Sequence, residues 1–348
     1  MRRVAIAVGI ALSAALVVLF FAHAAYVFFV LVAAVLFSIS VWDVSAFLAK
    51  KTKLPYAPIA ALVLLLVLAA TIGSTVLLGR PLWKQTTALF AELPKLLEKA
   101  SQLADKIPGG HALVHSGGDA SGGAKEVAQK APAVATGLIE AIASLVVFFF
   151  VGAYGAISPK TYVDGFLALL PPMRRPRARQ ILEELRDNLA RWLFARLVAM
   201  VMVGVLSVVG LMLLKIPMAL ALGLIAGLFT FVDYAGAVAS AVPPIVVALA
   251  KSPAHALYVV ILYVVIHVLE GYVLTPWLVK RAVKQPPAFT LGMQTVFGAA
   301  FGIMGVAFAT PLTIVGVILI QQLYVRRMES RAIRDGAILQ GKREMTSG

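Results

Sequence analysis

The sequence predicts an all-α, polytopic membrane protein with about eight hydrophobic segments, two of them broken or re-entrant hairpins. Three observations predict it. Of 348 residues, 61% are hydrophobic and only 14% charged, against about 45–50% and 25% in a soluble domain. Mean hydropathy is +0.93. The apolar residues run in continuous blocks, not alternating ones, and many reach the roughly 20 residues that a spanning helix needs. A hydrocarbon environment admits only structures that satisfy their own backbone groups, and unbroken apolar runs select helices over a barrel.

The formal net charge is +15. Its basic residues fall between apolar blocks, as cytoplasmic loops require, which argues against nucleic acid as the partner. The chain has no cysteine, which excludes disulfides, thiolate chemistry and Cys-ligated metal. Met1-Arg2-Arg3 before an apolar run, and Ala22-His23-Ala24, have the outline of a signal peptide. The apolar stretch is longer than such peptides carry, so a transmembrane helix is expected.

Residues 4–42 are long enough for two helices turning near His23. Lys50, Lys51 and Lys53 close this pair. Pro55 and Pro58 open the next helix, which is expected to stop at Arg80-Pro81. Residues 1–79 thus form a first unit of three helices. Residues 80–137 form a second, expected on the extracytoplasmic side. Leu82, Leu89, Leu93, Leu96 and Leu103 mark an amphipathic helix bent at Pro94, and residues 108–123 are a Gly-rich loop. His111 and His115 in that loop are not expected to bind metal, and no cofactor is expected anywhere.

The third unit, 138–325, begins with a span over 136–157. A basic stretch over 158–196 follows, in which Ile181, Leu185, Leu189 and Trp192 share a helical face. Such a helix is expected to lie on the anionic leaflet, with Glu183–Arg186 and Asp187–Arg191 as ion pairs. A fifth span covers 197–214. Residues 218–250 and 288–323 are each too long for one span. The first is interrupted at Asp233-Tyr234-Ala235-Gly236, the second at Gly302, Gly305 and Pro311. A plain span over 254–278 lies between them and ends at Thr275-Pro276. The last unit, 326–348, is a basic tail. Placing Lys280, Arg281, Lys284 and the cluster Arg326, Arg327, Arg331, Arg334 on the cytoplasmic side, with both termini, requires each interrupted segment to leave and return on one side.

Interrupted helices at membrane depth belong where backbone is buried in protein or lines a wet passage, and paired interruptions point to a transporter's site. Asp233 lies in the first interruption. Glu270 lies deep in the next span, with His267 one turn earlier. An intramembrane carboxylate needs a partner or a cavity, and imidazole titrates near neutrality. Asp233, Glu270 and His267 are therefore the candidates for binding a proton, a monovalent cation or a small polar solute. The alternative role for Glu270 is to cap broken backbone or to neutralise a basic partner such as Lys280. Gly223/Gly227 and Gly298/Gly302 form GxxxG pairs suited to close helix packing.

Several segments in register carry a family resemblance: Leu222-Gly223-Leu224-Ile225-Ala226-Gly227, Phe231-Val232-Asp233-Tyr234-Ala235-Gly236, Val242-Pro243-Pro244, Leu269-Glu270-Gly271-Tyr272-Val273-Leu274-Thr275-Pro276, Phe297-Gly298-Ala299-Ala300-Phe301-Gly302-Ile303-Met304-Gly305 and Ala309-Thr310-Pro311-Leu312. Together they resemble the autoinducer-2 exporter family of bacterial permeases. The family pattern has Pro in place of Asp233 and often near Ala237, a Gly-Gln pair near Ala195-Arg196, and Leu-His-Pro where this chain reads Lys284-Gln285-Pro286. The resemblance implies a permease of the bacterial cytoplasmic membrane, homo-oligomeric, with members linked to autoinducer-2 export and some to sodium/proton antiport.

Rival readings are few. Gly336 to Arg343 is a partial phosphate-loop pattern that lacks its closing Ser/Thr and a preceding strand. Neither a His-Glu-x-x-His nor a Gly-x-Ser-x-Gly motif occurs, so an enzyme is not expected. A non-transporting oligomeric scaffold is the remaining alternative.

Overall fold

The computed structural model of the chain describes residues 2–104, 134–274 and 286–325. The Gly-rich loop with His111 and His115, the Thr275-Pro276 pair, Lys280, Arg281, Lys284 and the basic tail with its phosphate-loop-like stretch lie outside them. Every described element is helical. In order these are α1 (Arg2–Thr52), α2 (Tyr56–Ala104), α3 (Val134–Ile157), α4 (Pro159–Ala168), a 3₁₀ turn (Pro172–Arg174), α5 (Arg175–Leu213), α6 (Ala219–Phe229), α7 (Ala235–Lys251), α8 (Pro253–Val268) and α9 (Pro287–Ile320). α8 runs on into a π-helical turn, Leu269–Leu274, and α9 into another, Gln321–Val325. Five of these helices are long and apolar enough to span a membrane, six if the bent pair α3–α4 is counted, and α6 and α7 are shorter apolar helices.

Three expected boundaries are overrun. α1 is one helix of 51 residues with no turn at His23, about 76 Å long at 1.5 Å per residue. The crossing count that put both termini on one side rested on that turn. α2 continues through Pro81 and Pro94 for 49 residues, so the amphipathic stretch extends the span instead of starting anew. Its far half docks: Leu89 is buried in a core with Leu211, Ile216 and Ala219, and Gln85 Oε1 accepts from the Ala221 amide at 3.1 Å.

The third overrun is the basic stretch. Residues 175–213 form one 39-residue helix, and its apolar face is covered by protein, not by a leaflet. Leu189, Trp192 and Leu193 pack against Leu36 and Ile39 of α1 and Ile314 and Ile318 of α9. Arg186 pairs with Asp43 of α1 at 3.1 Å and with Asp187 at 3.2 Å, not with Glu183, and its guanidinium lies 4.5 Å from the Trp42 ring centre. The helical period brought these apolar residues to one side correctly. What covers that side is a tertiary matter.

Both interrupted segments are indeed broken. α6 ends at Phe229 and α7 begins at Ala235. α9 is broken at Gly302 (φ 62°, ψ −145°), a conformation open to glycine alone. Gly305 and Pro311 do not interrupt it. Pro311 sits buried inside the second arm. The folding-back is direct at each break. A Cβ on Gly236 would overlap the carbonyl oxygen of Phe229, and one on Gly305 would overlap that of Phe297. Residues seven and eight apart cannot touch in a straight helix, so the chain reverses at both places. Gly298 faces its own hairpin, with a Cβ there 2.7 Å from Val306 Cγ2.

Gly223 and Gly227 do pack helices. On α6 they meet Gly204 of α5, where a Cβ on Gly227 would come within 2.8 Å of the Met200 oxygen and 3.2 Å of the Gly204 Cα. Pro243 and Pro244 lie inside α7, Pro244 buried, and free the carbonyls one turn earlier from helical bonding.

Candidate functional site

The site forms where five helical elements converge on the first break. Arg196, on α5, provides its centre. One Nη donates to the Thr230 carbonyl at 3.0 Å and reaches Glu270 Oε1 at 3.2 Å. The other is paired with Asp233 Oδ1. The sequence expectation named Asp233 and Glu270 independently. The structure brings both to one guanidinium, and Glu270 thus has Arg196 as its basic partner. All three side chains are withdrawn: 12% exposed for Arg196, 16% for Asp233 and 13% for Glu270. Charges held this deep persist only when paired and hydrogen-bonded, and a planar guanidinium can serve two carboxylates at once.

His267 joins them. Its Nδ1 lies 3.0 Å from Glu270 Oε2, and its Nε2 lies 3.4 Å from Ser240 Oγ on α7. The i,i+3 spacing on α8 places His267 beside Glu270, and the π-helical turn begins at Leu269. Such turns widen a helix locally and recur at functional sites.

The first break is itself a strained turn. Tyr234 has φ 50° and ψ −62°, and the Ala235 amide donates to the Asp233 carbonyl at 2.5 Å. This is a γ-turn of the rare, strained kind. Both arms of the second hairpin hold it. From the first arm Gln294 Nε2 donates to the Asp233 carbonyl at 2.7 Å. From the second arm Thr310 Oγ1 donates to Asp233 Oδ2 at 2.6 Å. The two interrupted segments are therefore one polar assembly, with Asp233 at the joint.

Four members of this assembly escaped the sequence expectation: Arg196, Gln294, Thr310 and Ser240. Arg196 carried one usable signal. It is the last charge before the apolar run of α5, and one of the positions where the chain departs from the family pattern. Asp233 is another such departure. The two substituted positions touch, so the charge at one is met by the opposite charge at the other. Gln294, Thr310 and Ser240 carry no signal in a sequence, because neutral polar residues are common in membrane helices. Thr275 and Pro276 lie outside the described residues. Gly223, Gly227, Gly298 and the prolines shape the surrounding backbone and bring no polar atom to the cluster.

The AI-2E family transporter pattern matches residues 8–325. The chain is 28% identical over 144 residues to Putative transport protein YueF of Bacillus subtilis (strain 168), covering 41% of this chain and 39% of that protein. It is 28% identical over 162 residues to Putative transport protein YrrI of the same organism, covering 47% and 45%. It is 24% identical over 242 residues to Putative permease PerM of Escherichia coli (strain K12), covering 66% and 69%. The matched region spans less than half the length of the two Bacillus relatives. The helical membrane architecture and a family match across nearly the whole chain lead to one conclusion: this chain is a membrane protein belonging to the AI-2E transporter family.

Proposed function

We propose that the chain is a secondary transporter of a small polar solute, working in the cytoplasmic membrane of a bacterium, with the Arg196–Asp233–Glu270–His267 cluster as the polar centre of its pathway. The observation that carries this reading is the continuous polar chain from Ser240 through His267, Glu270 and Arg196 to Asp233 and Thr310, set between two reversed hairpins among apolar helices. Insertion scales put a single unpaired charge at mid-membrane at about 2.5–3.5 kcal/mol, so ionisable groups among membrane helices point first to a functional site. A solute with hydroxyl and carbonyl groups, such as autoinducer-2, would exchange hydrogen bonds with this cluster. The cytoplasmic side in this proposal is the end that carries Lys50 to Lys53 and the start of α5. Gln322 donates to Glu184 and its carbonyl accepts from Arg177 there, so the turn Gln321–Val325 lies on the same side. We further infer a homo-oligomer, from family likeness.

The test is flux in proteoliposomes loaded with candidate polar solutes. Asp233→Asn and Glu270→Gln are each expected to lower flux at least tenfold while the protein remains folded. Unchanged flux in both variants removes the cluster from the pathway.

A second reading, monovalent cation/proton antiport, has its own support. Two carboxylates face one guanidinium, which leaves one net negative charge when His267 is neutral. Ser240 Oγ, which donates to the Ala237 carbonyl at 2.8 Å, lies 3.4 Å from His267 Nε2. A pH-gradient dye in vesicles separates the two. Dequenching on addition of a cation, without added solute, selects antiport.

A further inference from the structure

We propose that α4 and the turn after it form an in-plane membrane anchor that binds the headgroups of anionic phospholipids. The helix stands at 89° to α3, which it follows after a single residue. Its height can be read from its neighbours. Tyr56 at the start of α2 donates to the Ala156 carbonyl at the end of α3, and Ile157 packs in a cluster with Leu48 and Ala49 near the end of α1. The ends of α1 and α3 and the start of α2 therefore share one level, close to Lys50 and Lys51. That level is where apolar helix gives way to basic residues, so α4 leaves α3 at the membrane boundary and runs along it.

What α4 shows to its surroundings fits that position. Tyr162, Phe166 and Leu169 stand at four- and three-residue steps on one side and are 56%, 53% and 82% exposed, and Met173 in the next turn is 95% exposed. Leu167, on the other side, is the buried residue that seats the helix against the protein. An aqueous surface offers no reason for such a stripe, whereas a helix lying at the acyl boundary buries it, with an aromatic ring at headgroup level.

Charge selects the lipid. Arg175 is used internally, donating to the carbonyls of Leu170 and Ala168 at 3.0 and 3.3 Å. Arg177 reaches the Gln322 carbonyl and Arg179 pairs with Asp164. Lys160 and Arg174, at either end of the anchor, are exposed and have no partner among the described residues. Two such cations flanking an apolar stripe suit the phosphate of a lipid bearing net negative charge, which a cytoplasmic leaflet supplies. The internal arginine bonds tie the anchor to the start of α5, the helix that carries Arg196. The anchor thereby fixes the depth of that helix.

The absence of native cysteine makes a single introduced thiol unique. Full-length Phe166→Cys carrying a nitroxide is reconstituted in vesicles of phosphatidylcholine with added phosphatidylglycerol. The label is expected to be relaxed by dissolved oxygen and shielded from a water-soluble nickel reagent. A nickel-accessible label, or dipolar broadening showing that a second copy covers the face, overturns the anchor. In a second arm, phosphatidylglycerol retained by the purified protein is counted by mass spectrometry against phosphatidylcholine. Reversing both charges, Lys160→Glu with Arg174→Glu, is expected to cut that preference about tenfold or more. An unchanged preference overturns headgroup binding. Neither readout depends on transport, so both stand apart from the fate of the proposed pathway.

Discussion

The two chain breaks use one backbone device and fill it with different chemistry. At each, a glycine just past the break lets the returning strand of chain touch a phenylalanine carbonyl from the approaching helix: Gly236 on Phe229, Gly305 on Phe297. At the first break a tyrosine takes a positive φ, 50°, beside a partly buried aspartate bound by Arg196, Gln294 and Thr310. At the second, Gly302 takes φ 62°, and a Cβ there would have nothing within 4 Å. One break is strained and held by a polar network. The other is relaxed by glycine and stands clear of its neighbours. The second hairpin contributes donors from its arms and none from its break, so the charge chemistry is concentrated on one side of the pair. A strained, over-determined turn at the charged break is what a functional centre is expected to carry.

This contrast can be broken in four ways, taken from the largest effect to the smallest. Arg196→Gln leaves two largely desolvated carboxylates, 16% and 13% exposed, without their cation and should cost about 3 kcal/mol or more. Adding Asp233→Asn should restore part of that loss, as read from thermal unfolding in detergent. Full additivity of the two changes would show that the pair is not coupled. Gly236→Ala and Gly305→Ala both push a methyl into backbone and should each cost about 3 kcal/mol or fail to assemble. A tolerated alanine at either site means the hairpin there opens.

Gly302→Ala should cost about 2 kcal/mol from conformation alone, since no neighbour obstructs the methyl. The same melting assay checks it. Tyr234→Gly runs the other way. Strain relief outweighs the added unfolded-state entropy of glycine, for a net gain of about 1 kcal/mol. If Tyr234→Gly destabilises instead, the tyrosine side chain holds the break and the contrast between the two turns is lost.

Much of the architecture was legible in the sequence, and the failures share a cause. The two interruptions could be read because glycine and charge in an apolar run have local consequences. The turn at His23 and the stop at Arg80-Pro81 were misread because a helix boundary depends on what the next turn packs against. In α2 that is the core around Leu89 and the Ala221 amide. The leaflet assigned to the apolar face of residues 181–192 turned out to be α1 and α9. Periodicity identifies a buried face and leaves its cover unnamed. Asp233, Glu270 and His267 stood out because ionisable groups are costly in lipid. Gln294 and Thr310 did not, because their importance comes only from standing within hydrogen-bond reach of residue 233.

By itself the sequence determined that this chain is a bundle of membrane helices with two interrupted segments, and it singled out Asp233 and Glu270 as carboxylates within apolar surroundings. Those follow from composition, apolar block length and the conformational freedom of glycine, all of them local properties. Only the tertiary structure decided that Arg196, 37 residues before Asp233 and 74 before Glu270, would join the two carboxylates. A desolvated charge takes its partner from whichever helix lies within about 4 Å, and sequence distance sets no limit on which helix that is.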